Sequence, residues 1–162
     1  MEQHFDRKST SENCLMKNIK VEKAKFEDAL WPSIREIRDV VFIQEQAVSV
    51  EEEYDEFETS STHFLAFLDG EAAGTARWRR TDKGVKLERF AVKQEFRGSG
   101  VGSALVKAVL DDVNRQTAGT ELIYLHAQVQ ALPFYAGLGF EAAGDEFIEA
   151  DIRHRKMIFR GI

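Results

Sequence analysis

The run Arg97-Gly98-Ser99-Gly100-Val101-Gly102 constrains this chain more than any other part of it. Before it, Val85 to Val92 reads as a strand; after it, Val101, Leu105, Ala108, Val109 and Val113 recur at the spacing of one helical face, and Gly119 lies just past the expected helix end. Three glycines at a strand-to-helix junction let the backbone turn tightly and aim several N–H groups at one anion, an approach that side chains would obstruct. Arg97 adds a cation at the rim and Ser103 a hydroxyl in the first turn, both suited to a pyrophosphate. The alternative is a tight turn whose glycines serve packing alone. No G-x-x-x-x-G-K-[ST] is present, and Ser103 stands where the dinucleotide fingerprint places its third glycine. The preceding strands come as hairpins and not as a βαβ unit, so neither ATP nor NAD is favoured.

The rest of the chain supplies a sheet for this junction. Asn18 to Ala24 alternates as a strand, and Leu30, Ile34, Ile37 and Val41 follow at helical spacing. A polar, acidic stretch over 46–62 leads into the apolar run His63 to Leu68. Asp69-Gly70 and Asp82-Lys83-Gly84 mark two hairpins around the alternating stretch Gly74 to Arg79. Leu122 to Ala127 reads as a buried strand, Leu132 to Leu138 as a short helix, and Phe140 to Glu149 with Ile152 to Arg160 as a closing hairpin. The order β-α-β-β-β-α-β-α-β-β predicts an α/β domain of the α+β type with a mixed, mostly antiparallel sheet. One domain over 17–162 is expected. Residues 1–16 are polar and without periodicity, and read as an added leader or a flexible arm.

Composition narrows the function. A net charge of -6 argues against a nucleic-acid partner, whose phosphates demand Lys and Arg. It does not oppose an anionic cofactor held by backbone N–H groups at a helix start. The single Cys14 cannot form an internal disulfide, which points to a reducing, cytoplasmic setting. No segment approaches the ~20 apolar residues of a membrane span, so no membrane partner is expected. No His or Cys spacing suggests a metal.

Arg97, Gly100 and Gly102 match in register the [QR]-x-x-G-x-[GA] signature of the GNAT N-acetyltransferases, which the chain therefore resembles. A second segment agrees: Ala131-Leu132-Pro133-Phe134-Tyr135 through Gly139-Phe140 is similar to the family's A-x-x-F-Y-x-x-x-G-F helix. The arrangement Glu45-Gln46, Glu53, Asp55, His63, Glu88-Arg89 and His126-Ala127-Gln128 resembles a bacterial branch of ElaA-like or YjcF-like enzymes. One departure is Gln128, where many members carry Asn, so contacts of that Asn transfer only in kind.

The resemblance implies a GNAT-like fold, acetyl-CoA as cofactor, and attack of a neutral amine on its thioester. It implies that Phe90, Ala91 and Val92 line the pantetheine arm, that Arg97, Gly98, Ser99, Gly100, Val101, Gly102 and Ser103 hold the pyrophosphate, and that Gln128 and Phe134 add contacts. Tyr135 is the candidate general acid, protonated at neutral pH with a reference pKa of about 10; the alternative is that Phe134-Tyr135 fills the core. Glu88 is the candidate base, expected on one strand face with Phe90 and Val92 and with a pKa raised by burial. The alternative pairs Glu88 with Arg77 or Arg79. His63 and His126 compete for the base role, whereas His4 and His154 are weaker candidates.

Glu51 to Glu58 crowds six carboxylates into eight residues, which avoid burial unless they meet cations. If this segment lines the acceptor site it attracts a protonated amine; otherwise it is a solvated charge run. Glu53 and Asp55, with Arg38, Glu45, Gln46, His63 and His126, are the expected acceptor-binding residues. The expected acceptor is a small-molecule or protein amine, and the closing hairpin offers an edge for a homodimer. A non-catalytic acyl-CoA sensor and a purely structural domain are the rival classes.

Overall fold

A computed structural model of the chain describes residues 17–161, so the leader or arm read into residues 1–16 lies outside the described residues. The strands are Ile19–Ala24 (β1), Thr62–Leu68 (β2), Glu71–Thr81 (β3), Gly84–Val92 (β4), Ile123–Gln128 (β5), Phe140–Glu149 (β6) and Ile152–Phe159 (β7). The helices are Trp31–Arg38 (α1), Val50–Glu53 (α2), Val101–Thr117 (α3) and Leu132–Ala136 (α4). The strands form one sheet in the order β1-β2-β3-β4-β5-β7-β6, in which β4 and β5 are the parallel neighbours and the other pairs are antiparallel. The mixed, mostly antiparallel sheet flanked by helices agrees with the sequence expectation. No described helix is long and apolar enough to cross a membrane.

The apolar stripe of α3 covers one face of the sheet. Val101, Leu105, Val106, Val109 and Val113 are each no more than 1% exposed and pack in one cluster with Phe64, Ala76, Leu87 and Leu125. Burial of each such side chain contributes roughly 1.5–3 kcal/mol. A Cβ at Gly74 would stand 2.9 Å from the Ala91 carbonyl oxygen and 3.0 Å from Leu105 Cδ1, so glycine there lets α3 lie close to the sheet. On the opposite face, Ile34 and Ile37 of α1 pack with Leu65 and Ala91.

Three local features depart from the sequence reading. The helix expected to run through Val41 becomes a π-helix over Asp39–Glu45, and its wider turn buries Val41 and Phe42 together. The acidic stretch contains α2, whose cap is Ser49: its hydroxyl accepts from the Glu52 N–H at 3.2 Å and donates to the Glu52 carboxylate at 3.1 Å. Ser49-Val50-Glu51-Glu52 has the sequence of a capping box, but the Glu52 carboxylate here meets the Ser49 hydroxyl and not the Ser49 N–H.

The third departure moves a candidate residue. Arg77 pairs with Glu88 and Thr75 with Ala91, so two steps along β3 match three along β4. The extra residue makes a bulge at Arg89, whose φ is +58°. Val85 and Leu87 before the bulge, and Phe90 and Val92 after it, all pack on the α3 side, whereas Ala91 joins the α1 side. Glu88 therefore does not share a face with Phe90 and Val92, as plain alternation predicts; it stands beside Arg77 on the α1 side.

Candidate active site

Gly98 (φ +76°) and Gly100 (φ +93°) carry the chain from the end of β4 into α3 through left-handed backbone. Gly100 is the N-cap, and the first N–H of the helix to reach a carbonyl is that of Ala104, onto Gly100 at 3.0 Å. Among the described residues the N–H groups of Val101, Gly102 and Ser103 thus have no backbone acceptor, and together with the helix dipole they form an anion cradle. The Ser99 hydroxyl instead donates to the Phe96 carbonyl. Arg97 donates to the Val92 carbonyl at 3.0 Å and to Glu45 at 2.7 Å, leaving Nη1 without a partner among the described residues. The exposed Phe134 ring roofs the helix start, 3.2 Å from where a Gly102 Cβ would stand.

Beside this cradle the sheet opens. The parallel ladder of β4 and β5 extends only over Val85 to Leu87 against Ile123 to Leu125, and beyond it the strands part. A cleft of about 410 Å³ lies at the divergence, with Phe90, Leu125, Ala127 and Tyr135 among its apolar lining. Glu53, Asp55, Arg79, Glu88 and Arg89 line it from the β4 side, and His126, Gln128, Glu149 and His154 from the β5 side. Gln128 donates to Gln46 at 2.8 Å, which ties the end of β5 to the end of the π-helix.

Tyr135 is buried among Phe90, Phe134 and Phe140, with ring centroids 6.0, 5.0 and 5.8 Å away. Its hydroxyl makes no hydrogen bond within the described residues while its ring lines the cleft. Burial pushes the phenol above its ordinary pKa, so it stays a proton donor through the neutral range.

The acidic segment meets cations, and they belong to the protein. Arg38, 1% exposed, donates to Glu53 at 2.7 Å and through two nitrogens to Glu58 at 2.8 Å. Arg77, fully buried, donates to Asp55 at 2.7 and 2.9 Å, to Glu58 at 2.9 Å and to Glu88 at 3.0 Å. Arg79 also binds Glu88, and Arg89 lies 3.3 Å from Asp55 and 3.5 Å from Glu88. Four arginines and four carboxylates thus neutralise one another, so Glu53, Asp55 and Glu58 brace the wall of the cleft. The segment divides: Glu51, Glu52 and Glu56 are exposed to solvent, whereas Glu53, Asp55 and Glu58 are paired within the protein and so are not an open attractor for amines.

This network corrects the expected state of Glu88. Burial alone raises a carboxyl, but Arg77, followed by Lys86, Arg89 and Arg79, outweighs it and holds Glu88 below the usual range. Burial prevails only at Glu53, which is pushed up despite Arg38 and Arg89.

Other candidates fall outside the cleft. His63 is buried behind the wall, its Nε2 2.8 Å from the Glu58 carbonyl and its ring edge-on to Trp31, and burial holds its imidazole below the ordinary pKa. Arg38 lies in the same layer, and Glu45 is committed to Arg97; none of the three lines the cleft. An acceptor-binding role is therefore corrected for them, because Arg38 and His63 are buried behind the wall and Glu45 is paired with Arg97 away from the cleft lining. The sequence reading missed Glu58 and Glu149. Glu149 stands 3.3 Å from His126 Nδ1 and 3.8 Å from His154 Nε2, a meeting that only the β5–β7–β6 register creates.

The paired carboxylates predict acid lability. Burial pushes Asp55 up, but the Arg77 guanidinium outweighs it and sets the carboxyl at about 2, below the model-peptide 3.8. For Glu149 the His126 hydrogen bond, against burial, also gives about 2, below 4.5. Carboxyls depressed by folding add stability above their unfolded values and lose it as pH falls through the folded ones. Circular dichroism should show stability held above about pH 4.5 and falling steeply toward pH 2; a fold equally stable at both would contradict these pairings.

Residues 32–160 match the family described as acetyltransferase (GNAT) domain. The chain is 37% identical over 123 residues to the uncharacterized N-acetyltransferase YjcF of Bacillus subtilis (strain 168), spanning 75% of this chain and 86% of that one. Its fold superposes on ElaA of Escherichia coli with a TM-score of 0.77, at 22% identity, over 88% of this chain and 100% of the other. A GNAT acetyltransferase from Elizabethkingia anophelis, solved with acetyl-CoA bound, superposes with a TM-score of 0.62 at 17% identity, over 87% of this chain and 95% of that one. At these identities the two structures speak to the fold alone.

Proposed function

We propose that this chain, which belongs to the GNAT acetyltransferase family, transfers an acetyl group from acetyl-CoA to a primary amine of a small molecule or an exposed amino group of a protein. The observation that carries the reading is a juxtaposition: at Gly102 the anion cradle lies against Val92 at the end of β4 and against Phe134, whose neighbour Tyr135 lines the cleft where β4 and β5 part. The residues fit the cofactor. The free N–H groups of Val101, Gly102 and Ser103, with Arg97 at the rim, would hold its pyrophosphate. The edge of β4 at Phe90, Ala91 and Val92 faces the gap in which its arm would lie, with Gln128 and Phe134 beside it. Bound acetyl-CoA supplies a thioester, an activated acyl group.

The chain's own part in the reaction is to position and to move protons. The cleft walls hold the amine against the carbonyl carbon. As the new C–N bond forms and the C–S bond breaks, the Tyr135 hydroxyl gives its proton to the departing sulfur.

Calorimetry with CoA, followed by a thiol-release assay over a panel of amines, tests the reading. Binding together with thiol release supports it; binding without release for any amine favours the acyl-CoA sensor, and no binding at millimolar CoA removes both. Tyr135→Phe should lower kcat by ~100-fold with unchanged CoA affinity. An unchanged kcat would remove Tyr135 as the acid.

A further inference from the structure

Glu88 and His126 are the first residues past the end of the parallel ladder, one on each diverging strand, and both line the cleft. Both Glu88 oxygens are already taken, one by Arg77 and the other by Arg79. A carboxylate so bound is a poor proton acceptor. His126 is placed differently. Its Nδ1 lies 3.3 Å from Glu149 Oε1, its ring meets Phe147 edge-on at 4.9 Å, and Nε2 has no partner among the described residues. Glu149 is itself held from the far side, with Oε2 3.8 Å from His154 Nε2. His154 in turn has Nδ1 2.7 Å from the Ile152 carbonyl and its ring stacked on Phe147.

An imidazole with one nitrogen on a carboxylate and the other facing a cleft has a fixed tautomer and an open acceptor. Resting on the acetyltransferase reading, we propose that His126 is the base that accepts the amine proton at Nε2, and that Glu149 is the positioning residue that orients it through Nδ1–H. His126 takes one proton of the ammonium at Nε2; the freed nitrogen then bonds to the acyl carbon as the electron pair of the broken C–S bond leaves on sulfur, Tyr135 protonates that sulfur, and the proton the nitrogen sheds on becoming an amide returns to Tyr135. Both protons are accounted for without Glu88.

The charged and titratable groups around the ring are Glu88 and Lys86 from β4, Tyr124 from β5, Glu149 from β6, and His154 and Lys156 from β7. Glu149 is the carboxylate among them that bonds to the ring, so its removal should be felt most directly.

The test compares the full-length protein with His126→Gln, Glu149→Gln and Glu149→Asp, using kcat/KM against pH and an amine that is already neutral at the assay pH. For an amine protonated at pH 7, His126→Gln should lose ~100-fold in kcat/KM, and Glu149→Gln about 10-fold with a displaced acid limb. Glu149→Asp should recover part of the loss. For the neutral amine the His126→Gln deficit should shrink to a few-fold, which a merely structural defect would not produce. If the wild type acetylates amines and neither variant moves the pH profile, the dyad is overturned and the acetyltransferase reading stands. If the wild type binds CoA but releases no thiol with any amine, the acetyltransferase reading falls and takes the dyad with it.

Discussion

Replacing Arg77 by methionine is expected to destabilise the fold by ~3–5 kcal/mol, the cost of leaving a buried charge without its partner. Three carboxylates depend on this guanidinium: Asp55, Glu58 and Glu88 all accept from it at 3.0 Å or less. Methionine fills a similar volume, so the loss measures charge and not a cavity. A urea titration gives the comparison, with Arg80→Met as control. Arg80 is half exposed and sits 3.3 Å from Glu121, an arrangement worth at most ~1 kcal/mol. Equal midpoints for the two variants would show that the buried cluster does not brace the wall. Because that wall borders the cleft, the Arg77 variant should also lose activity well below its unfolding midpoint.

The second large effect is on cofactor affinity. Gly100→Val should weaken CoA binding by at least ~100-fold, or about 3 kcal/mol. Valine strongly disfavours the φ of +93° found at Gly100, so the backbone must rotate and turn the N–H groups of Val101 to Ser103 away from a common point. The nearest atom to an added Cβ is Ile19 Cδ1 at 3.5 Å, so backbone strain and not a clash drives the loss. Gly119→Val separates affinity from stability. It places the same residue at φ +69° near the other end of α3, with nothing within 4 Å of the added Cβ. Both variants should melt earlier, but only Gly100→Val should lose calorimetric CoA binding; equal affinities would mean that the loop does not hold the cofactor.

Much of the fold was legible because its signals are local. Alternation marks a strand within six residues, and a glycine run between strand and helix needs no distant partner to be read. Misreadings arose where a local rule was broken by one residue. The bulge at Arg89 inserts a single position into β4, and this reverses the face on which Glu88 stands relative to Phe90. The π-helix after Arg38 similarly changes the period without any glycine or proline to announce it.

The site was legible in part, and the division follows sequence distance. The loop Arg97 to Gly102 and the Phe134-Tyr135 helix are contiguous motifs, and the fold brings them into contact at Gly102 and Phe134. The electrostatic state of the cleft is a different matter. Arg77 meets Asp55 across 22 residues, Arg38 meets Glu58 across 20, and His126 meets Glu149 across 23. Each pairing depends on strand register and on which face a side chain takes, which no window of sequence contains. By itself, then, the sequence determined the element order and the backbone cradle, because these rest on φ preferences and on burial period. Only the tertiary structure decided that Glu53, Asp55 and Glu58 are neutralised from within and that both Glu88 oxygens are occupied while His126 Nε2 has no partner among the described residues. Ion pairing falls off steeply with separation, and folding alone sets those separations.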